Sequence, residues 1–316
     1  MDTHTGAHRR RLLPWLALFT IYVVWGSTYL AIRLVVREMP PFAAASLRFL
    51  SAGIVMTGLA AWRDRVWPSR RQVADYALIG VLLLGFGNGL VMWAEQRIPS
   101  GIAALLVGTV PLWITLLDGL RPGGQPWTAR VWIASIVGLV GVGLVARPEG
   151  GIASGHWMGI LALQGATILW TIGSLYSQAT PRRLPVLTAA AVEMLVGGAA
   201  LALEALLCRE DLRAFSSASP GAWAALLYLA VFGSLLAFTA FAYCLHELPA
   251  STVGTYAYVN PVVAVALGAL LLGETVSTGL LGGASLILLA VLLTTTRPRG
   301  SRALRSAPPA PAADEA

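Results

Sequence analysis

Residues 99–111 read PSGIAALLVGTVP, and residues 249–261 read PASTVGTYAYVNP. Both flanking prolines recur at a shift of 150, and the same shift carries Trp93 to Tyr243 and Arg147-Pro148 to Arg297-Pro298. A shift of 145 aligns the earlier parts of the two halves, pairing Trp25 with Trp170, Gly53 with Gly198 and, with opposite charge, Arg48 with Glu193. One unit of about half the chain has been used twice.

Composition fixes the solvent in which that unit folds. The 316 residues are 57% hydrophobic and 12% charged, where a soluble domain carries roughly 25% charged residues. Apolar runs of about twenty residues, the length that crosses the hydrocarbon as a helix, follow one another with short connections. The sequence therefore describes an all-α polytopic membrane protein. Ten helices are expected, near residues 13–36, 41–62, 72–94, 99–120, 129–146, 157–179, 185–207, 221–245, 249–273 and 278–296. Five fall in each half, so the second copy enters the bilayer from the opposite side, an inverted repeat of the kind secondary transporters use. The expected organisation is a head over 1–12, repeat 1 over 13–147, a linker over 148–156, repeat 2 over 157–296 and a disordered tail over 297–316.

The net charge of +7 comes from arginines at helix ends, so membrane orientation explains it better than nucleic-acid binding. With both termini cytoplasmic, that side holds Arg9 to Arg11, Arg63, Arg65, Arg70, Arg71, Arg121, Arg130, Arg182, Arg183 and the arginines of the tail. The other side holds Arg33, Arg37, Arg97, Arg147, Arg209 and Arg213. The bias follows the positive-inside rule. The first apolar run is too long for a signal peptide and lacks a cleavage site, so it stays as a span. Cys208 and Cys244 are too few for a disulfide framework or a metal site.

Several motifs resemble one family when taken together. They are Trp25 to Tyr29 (WGSTY), Arg48-Phe49-Leu50, Gly85 to Gly89 (GFGNG), Pro99 to Ala104, Glu193-Met194-Leu195, Tyr256 to Pro261 (YAYVNP) and Gly273-Glu274-Thr275. The combination resembles the EamA family of the drug/metabolite transporter (DMT) superfamily over Trp15 to Thr296. That resemblance implies ten helices in two EamA repeats, a permease of the bacterial inner membrane and export (efflux) of small metabolites. It assigns no substrate.

Ionisable groups inside a membrane are costly and are site candidates by default, which singles out Arg48 and Glu193. They are expected to face the interior and either pair across the halves or line a wetted cavity that holds a zwitterionic solute; the alternative is a structural pair or a snorkelling side chain. Pro111 and Pro261 are expected to kink helices 4 and 9, as moving walls or as ordinary packing kinks. Near them Asn260, Thr109, Tyr256 and Tyr258 offer hydrogen bonds, and Asn88 sits among glycines. Trp25, Tyr29, Trp170 and Tyr243 lie away from the interfaces, and such a lining suits amphipathic or cationic molecules. Core packing competes for each of them. Trp15, Trp62, Trp67, Trp127, Trp157 and Trp223 read as the interfacial belt. Glu95, Asp118 and Glu274 read as solvated helix ends, with Glu95 and Glu193 as possible proton carriers.

A membrane-embedded enzyme is the rival reading, but the four histidines, His4, His8, His156 and His246, form no deep cluster, and no catalytic or phosphate-binding motif appears. A non-transporting accessory membrane protein is the other. The expectation is a non-enzymatic secondary transporter working by alternating access. It needs no cofactor or metal, and its partners are a small-molecule substrate and the lipid bilayer, with a homodimer left open.

Overall fold

The computed structural model describes residues 3–120, 127–145, 154–181 and 183–295; residues 148–153 of the expected linker and the tail lie outside the described residues, and 154–156 belong to a helix. All regular structure among the described residues is helical. The first half contains α1 (Thr3–Val36), α2 (Pro41–Arg63), α3 (Arg70–Gly80), a π-helical segment π1 (Val81–Asn88), α4 (Gly89–Glu95), α5 (Ser100–Val107), α6 (Val110–Asp118) and α7 (Ala129–Val145). The second contains α8 (Ser154–Ala179), α9 (Val186–Leu207), α10 (Ala214–Ser217), α11 (Pro220–Tyr228), a second π segment π2 (Leu229–Phe238), α12 (Thr239–Glu247), α13 (Ala250–Val253), α14 (Tyr256–Leu272) and α15 (Thr278–Thr295).

Seven helical stretches among the described residues are long and apolar enough to cross a membrane: Leu12–Val36, Pro41–Arg63, Arg70–Glu95, Ser100–Asp118, His156–Ala179, Val186–Leu207 and Pro220–Glu247. Ala129–Val145, Val259–Leu272 and Thr278–Leu293 are shorter apolar helices. Large apolar side chains such as Ile54, Leu139, Leu161 and Leu270 are exposed, as a lipid-facing surface requires. The six tryptophans assigned to the belt are all exposed as well, Trp67 at 92%.

The halves are joined by antiparallel helix pairs. At the end of α9, Glu210 accepts hydrogen bonds from the backbone of Phe42 (3.1 Å) and Ala43 (2.8 Å) in the first turn of α2. At the end of α2, Asp64 accepts from Thr188 N (3.1 Å) and Thr188 Oγ1 (2.8 Å) in the first turn of α9. Each helix thus ends on a carboxylate that satisfies orphan donors at the start of its partner and complements its dipole. Glu274, just past α14, does the same for α5, accepting from Ser100 N (3.0 Å), Ser100 Oγ (2.9 Å) and Gly101 N (3.2 Å). Its reading as a solvated end is corrected: it is a cap reaching across the halves. In the third pair, α7 and α15, a Cβ on Gly141 would lie 2.9 Å from the Gly283 carbonyl and one on Gly283 2.7 Å from the Gly141 carbonyl. Only residues without side chains permit that approach.

Neither π segment follows from the apolar pattern. They start at Val81 and Leu229, equivalent places in the two halves. Glycine occurs within each, and π turns of this kind interrupt α-helices most often where function resides.

Candidate functional site

Arg48 lies in the first third of α2 and is 3% exposed. Its Nε donates to Ser234 Oγ on π2 at 2.8 Å, and its Nη1 to Asn88 Oδ1 at the end of π1 at 3.4 Å. One guanidinium therefore bridges the two π segments, one from each half. It packs over the Phe49 ring at 4.5 Å, and its Nη2 lies where a Cβ on Gly233 would come within 2.9 Å. Nη2 has no hydrogen-bond partner among the described residues.

Glu193 is equally buried but sits elsewhere. Its backbone crosses Gly80, where a Cβ would approach the Glu193 Cα to 2.8 Å. Gly80 precedes π1 and Asn88 ends it, so Glu193 and Arg48 meet that helix eight residues apart, about 12 Å along its axis. The expected pairing across the halves is corrected: Arg48 meets neutral acceptors, because the antiparallel register of α2 on α9 sets Leu50 against Gly198 and Gly53 against Leu195, leaving Glu193 offset from Arg48.

Beside Arg48 is an aromatic cluster drawn from four spans. Trp25 contacts Trp170 (5.5 Å, 79°), Phe241 (5.0 Å) and Tyr256 (5.2 Å, 87°), while Trp170 contacts Phe241 at 5.4 Å. Such edge-on geometries follow the ring quadrupoles. Trp25 Nε1 donates to the Gly233 carbonyl at 3.2 Å, tying the cluster to the Arg48 seat. Trp170 lies near Gly87 of π1, and its buried Nε1 faces the Tyr256 hydroxyl without closing a well-aligned hydrogen bond. Phe241 and Tyr256 are fully buried, whereas Trp25 and Trp170 are half-buried.

Other expected members fall outside this cluster. Tyr29 is buried in a separate apolar group with Ala94, Ile98 and Ala264, and Tyr243 is half-buried without joining the four rings. Thr109 Oγ1 donates to the Leu106 carbonyl at 2.7 Å and approaches Gln164. Asn260, with its amide nitrogen turned to them, donates to the Tyr22 and Tyr256 carbonyls at 3.0 and 3.2 Å. These polar groups are satisfied by neighbouring helices. The side chain of Tyr258 lies outside the described residues.

The proline sites differ from expectation in their mechanics. The chain breaks at Gly108 and Thr109, so Pro111 occupies the first turn of α6, where a missing N–H costs nothing. In the second half the break is at Gly254 and Thr255, and Pro261 lies inside α14. The two sites touch: a Cβ on Gly108 would lie 3.3 Å from the Ala257 carbonyl and 3.4 Å from Pro261 Cγ. That carbonyl is the one Pro261 deprives of its helical donor.

Glu95 is not solvated. It has no exposed surface, and neither carboxylate oxygen has a partner; Arg33 Nη1 bonds instead to the Glu95 backbone carbonyl. Sequence reasoning placed it at a helix end and had no signal that other helices, α1 among them, would close over it. Ser234 and Phe241 were also missed, being ordinary residues of an apolar run. A cavity of about 210 Å³ lies at one end of the bundle, lined by residues including Ile102, His156, Val265 and Glu274. None of the expected site residues lines it. No group of three or more metal-ligating side chains occurs among the described residues.

Comparison with known proteins places this geometry. The model of the EamA-like transporter family matches residues 13–147 and 157–296. The inner membrane transporter YedA of Escherichia coli strain K12, itself described as uncharacterized, is 41% identical over 271 residues, covering 85% of this chain and 86% of its own. The uncharacterized transporter sll0355 of Synechocystis is 23% identical over 83% of this chain and 84% of its own. A crystal structure, 23% identical, superposes with a TM-score of 0.64 over 89% of this chain and 95% of its own, which supports the fold. By the family match and the YedA likeness, this chain belongs to the EamA-like transporter family.

Proposed function

We propose that this protein is a secondary transporter that exports small organic metabolites from a bacterial cell by alternating access. In this reading ten helices cross the inner membrane as two inverted five-helix repeats, 13–147 and 157–296, with both termini cytoplasmic. The observation that carries it is Arg48, a buried guanidinium from one half held between π segments of both halves. A group shared in this way senses any movement of one half against the other. The antiparallel seams α2 with α9, α5 with α14 and α7 with α15 support the inverted arrangement, and the arginine distribution supports the orientation. Relatives named as transporters, one of them of the inner membrane, support the class.

The solute site in this proposal is the space bounded by Arg48, Asn88, Trp25 and Trp170, with Phe241 and Tyr256 as its floor. The broken helices at Gly108 and Gly254 are the walls that rock, meeting at Pro261. Glu95 and Glu193, both buried carboxyls, are the candidates for carrying a coupled proton. The test is uptake into proteoliposomes with a panel of labelled metabolites, with and without an imposed pH gradient. Flux that a gradient drives supports coupling, and replacement of the responsible carboxyl by Gln removes the drive but leaves exchange. Absence of flux for every compound under both conditions overturns the transporter reading.

A further inference from the structure

The charge balance around Arg48 narrows the kind of solute, resting on the transporter reading above. A guanidinium presents five N–H donors in a planar fork. Here Nε is used on Ser234, Nη1 makes one long contact to Asn88, and Nη2 is unused. No acidic side chain acts on it among the described residues. Removing a cation from water costs several kcal/mol, and two neutral acceptors return only part of that. A negative charge with two oxygens in one plane would complement the donors that remain.

We propose that the solute carries a carboxylate, received by the free Nη1 and Nη2 edge of Arg48, and a flat apolar body laid against Trp25 and Trp170. The fork matches a carboxylate with two parallel hydrogen bonds, which are shorter and stronger than those to neutral acceptors. Trp25 is fixed to the same Gly233 that seats Arg48, so ring and fork are held at a set spacing. An α-amino acid fits less well. Its ammonium sits one carbon from the carboxylate, while Glu193 meets the shared helix at Gly80, eight residues and about 12 Å along the axis from Asn88. The site is thus one for organic monoanions rather than for zwitterions or cations.

The experiment compares matched probes on the full chain in lipid nanodiscs. Dissociation constants are measured by ligand-dependent thermal shift for phenylacetate, naphthylacetate and indole-3-acetate. The same is done for their primary amides, for the corresponding amines, and for chloride and inorganic phosphate. The expected result is that at least one acid binds tenfold or more tighter than its own amide and amine, with chloride and phosphate weaker than the acid. In Arg48→Gln the acid and its amide become equal within twofold, and Arg48→Lys, which keeps the charge and loses the fork, recovers only part of the preference. Amides or amines binding as well as acids, an inorganic anion binding as well as the best acid, no acid binding at all, or a tenfold preference surviving in a folded Arg48→Gln each overturn the proposal. The acid-to-amide comparison uses the unmodified protein, so it decides even where the variant fails to fold. Counterflow of the same probes separates the two readings: flux without acid preference sinks the carboxylate site alone, and acid binding without flux of any probe sinks the transporter reading alone.

Discussion

Arg48 and Glu193 occupy equivalent places in the two copies, yet they do different work. Arg48 reaches across the molecule to both π segments, while Glu193 stays against Gly80 in the wall between α9 and α3. The helices, breaks and π segments recur; the charges do not. The family model matches each half separately, and at these two positions the halves differ in charge.

The sharpest way to break this contrast is to exchange roles. Arg48→Gln is expected to reduce transport of any solute that wild type carries by 100-fold or more, while Glu193→Gln reduces it by less than tenfold, both read as initial rates in proteoliposomes. Equal losses would mean that the two charges act as a pair after all. The next largest effect concerns packing. Gly80→Ala places a methyl against the Glu193 backbone and is expected to cost about 1–3 kcal/mol through overpacking. Gly143→Ala, where a Cβ meets nothing within 4 Å, is expected to stabilise by about 0.5–1 kcal/mol; thermal denaturation in detergent reads both.

Smaller effects belong to the caps. Glu274→Ala strands the first donors of α5, and Glu210→Ala those of α2, each expected to cost about 1–2 kcal/mol. A double variant of Asp64 and Glu210 shows whether the reciprocal caps act independently, through the departure of its loss from the sum of the two single losses. The smallest effect is pH-dependent. Glu38, in the connection between α1 and α2, accepts from Ser219 N and Ser219 Oγ at the start of α11. These hydrogen bonds hold its carboxyl below the ordinary carboxylate range. A depressed folded value means stability that is present above the unfolded carboxylate range and lost as pH falls through the folded one. The difference in melting temperature between wild type and Glu38→Gln is therefore expected to be small near neutrality and to vanish in acid.

What the chain disclosed before folding was its repetition and its solvent. Paired prolines, paired glycines and twenty-residue apolar runs located the helices, and a buried arginine is conspicuous in any such run. The facing of each helix was not legible, because a span apolar all round has no hydrophobic stripe to aim it. Phe241 looked like Phe232 until packing put one in the aromatic cluster and left the other exposed. Glu95 looked terminal and solvated for the same reason: its burial is decided by helices remote in sequence, α1 among them, not by its neighbours in the chain. The π segments were equally hidden, since an added residue per turn leaves composition unchanged. Of the site, Arg48, Asn88, Trp25, Trp170 and Tyr256 were marked as polar or aromatic exceptions, whereas Ser234 was too common a residue to stand out.

The carboxylates that end α2 and α9 have a mechanical corollary. Pulling those two helices apart would strand backbone donors at both rims at once, whereas turning one against the other about their common seam can keep Asp64 and Glu210 in place. The pair is thus suited to serve as the axle of the proposed rocking, with the broken helices that meet at Pro261 as its moving arms.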